Sequence, residues 1–219
     1  MKRPQHLLLF LLVVPFVFGS CKRHSQIREC TETIQTYPIS DTSPFPIIYK
    51  NSHIYPYSRI DGFSHTGQPQ EWKMVKLEND YTEVYILPEL GGKVWGAIDK
   101  KTGKEFIYKN DAVKPRDVGL RGPYTSGGIE WNSSIIGHHP GVATPVNYTL
   151  FTDDKGTAHC VIGGMDLPSH MQWRIDISLP ANTSYFEART WWYNATPYFQ
   201  SYYHWSNAAL KSAKDLHFY

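Results

Sequence analysis

The chain has 219 residues, enough for one domain with a leading segment, and its 22 basic and 20 acidic side chains leave a formal charge of +2. No basic block follows the N-terminal segment, so nothing points to a nucleic-acid partner. There is no P-loop, no dinucleotide fingerprint, no C-x-x-C and no H-E-x-x-H, so no motif implies a cofactor or a metal.

The N-terminus reads as a targeting segment. Met1-Lys2-Arg3 is positive, Leu7 to Phe18 is apolar apart from Pro15, and Gly19-Ser20-Cys21 is small. That run is short of the roughly 20 apolar residues a membrane span needs, and it has the layout of a secretory signal. Phe18-Gly19-Ser20-Cys21 resembles a bacterial lipoprotein box, with Phe18 where leucine is usual. A lipid on Cys21 would anchor the protein to a membrane surface without spanning it. The expected location is the bacterial cell envelope, at the outer membrane or its periplasmic face, with ordinary secretion as the alternative.

Residues 1–20 are thus expected to be signal and 21–70 a tether with a proline-rich lead-in. The domain proper is expected over 71–219. Cys30 falls in the tether and Cys160 in a strand, and spacing alone does not pair them.

Aromatic residues make up 15% of the chain, which favours strands, because aromatic side chains suit a pleated, half-buried surface. Regular patterning starts at Met74. The stretch from Glu78 to Asn110 alternates around Pro88-Glu89-Leu90-Gly91-Gly92 and again around Asp99 to Gly103, predicting three short antiparallel strands. Gly91 and Gly92 are expected to supply positive φ, and Glu89 to be a turn residue. From Asp111 to Pro140 the pattern dissolves into a long Gly- and Pro-rich connection, the kind of segment that tends to carry function.

Alternation resumes at Thr144 to Phe151, turns at Asp153 to Gly156, and returns over Thr157 to Gly163. Trp173 to Leu179 and Tyr185 to Asn194 form the clearest hairpin, around Pro180 to Ser184. Trp191 and Trp192 should face opposite ways. Tyr198 to Leu210 reads as a last long strand. The chain then stops on Leu216-His217-Phe218-Tyr219, which suggests that the domain continues in a longer product. Short strands at close spacing without helical periodicity indicate an all-β sandwich or barrel.

The block Tyr81 to Tyr108 resembles the start of a galactose-mutarotase-like domain. The chain is closer still to the DUF5107 proteins of that superfamily. The supporting pieces, in order, are Val113-Lys114-Pro115, Val118-Gly119-Leu120, Gly122 to Asn132, His138-His139-Pro140 and Tyr202 to Ala209. The resemblance covers about 72–219. It implies a large antiparallel β-sandwich with a concave face that receives a carbohydrate, incomplete here at its C-terminus. It implies no particular reaction, since the superfamily holds epimerases, hydrolase and lyase domains, and sugar binders. The late glutamate base of the epimerases would lie past Tyr219. His204 falls roughly where they place a histidine, in surroundings that depart from their motif.

Glu130 is the first candidate for catalysis, as a carboxylate able to accept sugar hydroxyls or move a proton, with His204 second. The competing reading of Glu130 is a buried brace that accepts backbone N–H groups. His138 and His139 suit proton transfer or ligand contact, or form a solvated loop pair. Asn132, Trp131 and Trp205 are further sugar-contact candidates, with Trp95 and Tyr203 as aromatic alternatives, and the competing reading of these aromatic rings, Trp95 and Trp205 included, is a place in the core. Arg121 could hold an acidic sugar, as could Arg116, or be a solvated charge. The four N-x-[ST] sequons at Asn132, Asn147, Asn182 and Asn194 are expected to be chance matches in a bacterial protein. The expected partners are a carbohydrate, a membrane through the lipid, and a possible downstream domain. The functional expectation is a carbohydrate-binding or carbohydrate-processing envelope protein, with a non-catalytic binding module as the alternative.

Overall fold

The structure, a computed structural model, describes residues 24–38, 64–117, 123–133, 138–167, 169–201, 203–214 and 216–217. The signal segment with Cys21, most of the proline-rich lead-in, and Arg121 lie outside the described residues.

The expected all-β class holds. Among the described residues, fourteen strands run in chain order: β1 (Gln26–Thr36), β2 (Gln68–Glu78), β3 (Thr82–Leu87), β4 (Lys93–Asp99), β5 (Lys104–Ile107), β6 (Ala112–Val113), β7 (Pro115–Asp117), β8 (Pro123–Thr125), β9 (Ile129–Ser133), β10 (Asn147–Thr152), β11 (Ala158–Met165), β12 (Met171–Leu179), β13 (Glu187–Asn194) and β14 (His204–Ala208). A 3-10 turn, Pro140–Ala143, lies between β9 and β10.

The larger sheet has the order β14-β9-β4-β3-β2-β1-β6, with β5 also paired to β4, and it curls into a half-barrel. The smaller has the order β10-β11-β12-β13, and β7 pairs with β8 apart from both. These pairings are antiparallel apart from the short β1–β6 contact, which is parallel.

The turns form for local reasons. Asn79 Oδ1 accepts the N–H groups of Tyr81 and Thr82, each at 2.8 Å, closing the β2–β3 turn. Its amide nitrogen donates to the carbonyls of Pro180 and Thr183, both at 2.8 Å, tying that turn to the β12–β13 turn of the other sheet. Asp99 and Asp153 cap their own turns in the same manner. Gly91 and Gly92 have φ of 66° and 69°, and a side chain at Gly91 would run into the backbone of Val142.

Two cores lie on opposite faces of the larger sheet. Between the sheets, Val75, Leu77, Val84, Ile86, Val94 and Ala97 meet Cys160, Ile162, Ile175, Ile177 and Leu179. On the far face, Ile34, Trp72, Met74, Leu87, Leu90 and Trp95 pack with Val113, Val142 and Ala143. A fully buried Leu, Ile or Val contributes about 1.5–3 kcal/mol. Because β4 is covered on both sides, Lys93 to Ala97 are all buried, and strict alternation fails there.

Several expectations are corrected. Gln26–Thr36 is no tether: β1 pairs with β2 over eleven residue pairs. Its alternation was hidden because the strand lies near the sheet edge and exposes much of its outward face. Cys30 packs against the far-face core and Cys160 lies between the sheets, so the larger sheet separates two free thiols. Burial pushes the Cys160 thiol up to about 12. The long connection carries short strands of its own, β6 to β9. The last strand is only His204–Ala208. As expected, Trp191 faces outward and Trp192 packs inward.

Candidate functional site on the outer face of the larger sheet

The ladder decides which candidates meet. Residues directly opposite share a face, and next neighbours lie on opposite faces. Val94 pairs with Ile129, and both pack against the core between the sheets. Trp131 follows Ile129 on that inward face, where its indole N–H donates to the Gly92 carbonyl at 3.2 Å. Glu130 and Asn132 therefore belong to the opposite face, turned away from the smaller sheet, together with Trp205 and Asn207 across the ladder.

Glu130 is 2% exposed. Its Oε1 accepts from the Asn132 side-chain amide at 2.9 Å and lies 2.6 Å from His138 Nδ1. Its Oε2 accepts the Thr125 N–H at 3.4 Å. An ionised carboxylate only accepts, so with Glu130 ionised this contact requires the tautomer in which His138 Nδ1 donates. That leaves Nε2 as the ring atom able to act on a ligand. The ring sits between Trp205, edge-on with centroids 5.0 Å apart, and Tyr124 at 5.9 Å. Asn132 Oδ1 accepts the His139 N–H at 2.9 Å, so Asn132 ties β9 to the His139 backbone.

Lys93, missed in the sequence, completes this group. It is fully buried at the head of β4 and donates to the Thr125 carbonyl and hydroxyl, both at 2.8 Å. Burial lowers its amine to about 8, with Glu130 pulling the other way. Its place after the Gly91-Gly92 turn reads as a solvated polar partner of Val94. Only the second layer of packing shows otherwise. Gly128, with φ of 66°, lets the β8–β9 connection approach: an added Cβ would stand 2.0 Å from the Val94 carbonyl oxygen.

The other candidates lie elsewhere. His204 pairs with Ser133 on the inward face, bonds the Asn132 carbonyl at 2.9 Å and rests against Trp192. It does not share Glu130's face. The His139 ring points to Trp173 of the smaller sheet and lies 4.0 Å from buried Asp166. Burial pushes that imidazole below its ordinary value, against the pull of Asp166. His138 and His139 are 8% and 6% exposed, so they are not a solvated pair. Trp95 is a core residue and Tyr203 is exposed. Among the described residues no cluster of His, Cys, Asp and Glu is arranged to hold a metal ion.

Two sheets around a shared core, with a buried carboxylate–imidazole pair on the outer face of the larger one, define an all-β domain with one polar, aromatic-rimmed candidate site. The chain belongs to the family described as Domain of unknown function (DUF5107), whose sequence model matches residues 49–219. It is also similar to a solved structure, a TPR-domain containing protein from Parabacteroides distasonis, with 29% identity and a TM-score of 0.78. The match covers 87% of this chain and 33% of that one, so the chain spans about a third of that protein's length. β1 precedes the family match yet is an integral part of the sheet.

Proposed function

We propose that this is an envelope-anchored protein of bacterial glycan metabolism that binds or processes a carbohydrate on the outer face of its larger sheet, within a galactose-mutarotase-like sandwich. The carrying observation is the 2.6 Å contact between Glu130 and His138. It orients the imidazole so that Nε2 can take a proton from a sugar hydroxyl or return one. Trp205 and Tyr124 offer apolar ring surface beside it, suited to the C–H face of a sugar. Glu130 acts through His138 as a positioning residue. His204, on the other face, holds the β9–β14 edge.

A second reading, a non-catalytic module that presents a glycan to another region, draws support from Glu130 itself. Both its oxygens are already engaged within the protein, and glycoside hydrolysis usually needs two carboxylates across the bond. A glycan array with the purified protein tests the shared claim. Bound neutral glycan, lost in His138→Ala, is the expected result. A folded protein that binds no glycan sinks both readings. NMR of the captured glycan over time separates them, since only an enzyme cleaves it or exchanges its anomeric signals faster than in protein-free buffer. For the anchor at Cys21, metabolic labelling with a fatty-acid analogue should succeed and should fail in Cys21→Ala. Label that persists in the variant removes the lipoprotein reading.

A further inference from the structure

The outer face of the smaller sheet carries a second groove, separate from the Glu130 site. Its register is explicit. Asn147, Gly163, Arg174 and Trp191 form one row across the four strands, and Met165, Gln172 and Tyr193 form the next. Gly163 lets β12 and the Arg174 stem close in on its row: an added Cβ would stand 2.8 Å from the Trp173 carbonyl oxygen and 3.2 Å from Arg174 Cγ. Two adjoining depressions, of about 730 and 600 Å³, share Phe151, Val161, Gln172, Trp173 and Arg174 as lining.

The rim is aromatic and held in place. Phe151 stacks on His159 with centroids 4.5 Å apart and planes 5° from parallel, and His159 is fixed by Asp176 at 2.9 Å. Trp191 and Tyr193 are 47% and 64% exposed, and the Arg189 guanidinium lies 6.0 Å from the Trp191 ring. Arg174 is exposed and, among the described residues, has no carboxylate partner.

The geometry points to this groove as a binding site for an oligosaccharide that carries acidic sugar units. Flat rings take the C–H faces of successive sugars, the amides of Asn147 and Gln172 take hydroxyls, and the planar guanidinium of Arg174 takes a carboxylate through two parallel hydrogen bonds. A peptide strand fits less well. β11 and β12 are interior strands whose ladder groups are used by their neighbours, so this face offers no main-chain pairing. The inference stands apart from the proposed sugar at His138, since no residue is shared.

Calorimetric titration of the full chain with trigalacturonic acid, and with maltotriose as a neutral trimer of equal length, tests it. The acidic trimer should bind at least tenfold more tightly than maltotriose. Arg174→Ala and Trp191→Ala should each weaken it at least tenfold, and Arg174→Lys should fall between them and the parent because it keeps the charge but not the fork. Glu130→Gln and His138→Ala should leave it unchanged. Equal affinity for the neutral trimer, indifference to Arg174→Ala, loss in His138→Ala, or no heat with either trimer from folded protein would overturn the site. Arg174 and Trp191 are exposed, so an unchanged melting temperature will show that those variants fold.

Discussion

His138 Nδ1 and Glu130 Oε1 stand 2.6 Å apart, and that contact joins the segment after β9 to the strand itself. The carboxylate also serves the Asn132 amide and the Thr125 N–H, so one acceptor satisfies three buried donors. Removing it leaves them without their acceptor. Glu130→Ala should therefore cost about 2–4 kcal/mol of unfolding free energy, from the penalty of unpaired buried polar groups. A denaturant titration checks this. A loss below about 1 kcal/mol would mean that the group is not held as described.

Lys93 makes stability depend on pH on the alkaline side. Its folded-state value, about 8, lies below the roughly 10.4 of an unfolded lysine. Between those values the unfolded chain keeps a proton that the folded chain has released, so stability from this group rises with pH through that window. Below about 8 the buried charge is a standing cost. The difference in unfolding free energy between the parent and Lys93→Met should shift in the parent's favour by about 3 kcal/mol from pH 7 to 10.5, at 1.36 kcal/mol per pH unit. A flat difference across that range would sink this account.

Strand patterning and turns were legible because they are local. Asp99 and Asp153 close their turns with their own side chains, and Gly91-Gly92 announces positive φ. Glu130, Asn132 and His138 stand out because polar and aromatic residues crowd an otherwise irregular stretch, and Trp205 because of the aromatic run in the last strand; the structure brings these four side chains together. Their division between faces was not legible. It depends on β9 pairing with β14 across more than 70 residues, and that register puts Trp131 and His204 behind the sheet. Lys93 was hidden because its burial comes from a second core layer that no window of sequence reports. β1 was hidden because 31 residues separate its end at Thr36 from the start of its partner β2 at Gln68.

Glu78 anchors a charge cluster at the β2 end of the larger sheet. Burial pushes its carboxyl up, but Lys100 at 2.6 Å, Lys76 at 3.0 Å and Arg28 at 2.6 Å outweigh that and hold it near 2. A carboxyl with a depressed value stabilises the fold above its unfolded value near 4.3, and the contribution is lost as pH falls toward 2. Glu78→Gln should lower stability at pH 7 by about 1 kcal/mol, a modest figure because water screens Arg28 and Lys100. It should also flatten the parent's acid limb between pH 4 and 2. Thermal melts across that range decide it: an unchanged acid limb in the variant would assign the pH dependence elsewhere.

β1 gives the sharpest test of the fold, because a tether and a sheet strand respond oppositely to the same change. Ile34 is 4% exposed and packs with Trp72 and Val113 on the far face of the larger sheet. Two residues on, the Thr36 hydroxyl accepts the Trp72 indole N–H at 2.8 Å, and Thr36 pairs with Val113 of β6. Ile34→Asp puts an unpaired carboxylate into that contact and should cost about 3 kcal/mol or more, the range for a core truncation with a buried polar group added. Thr33→Asp is the control, since Thr33 lies one residue away on the alternate side of the strand and is exposed. It should change stability by less than about 0.5 kcal/mol. Equal and small effects from both substitutions, read by urea unfolding, would return residues 26–36 to the status of a tether. A large effect from Ile34→Asp alone places the start of the folded domain at β1, ahead of the region that the family match covers.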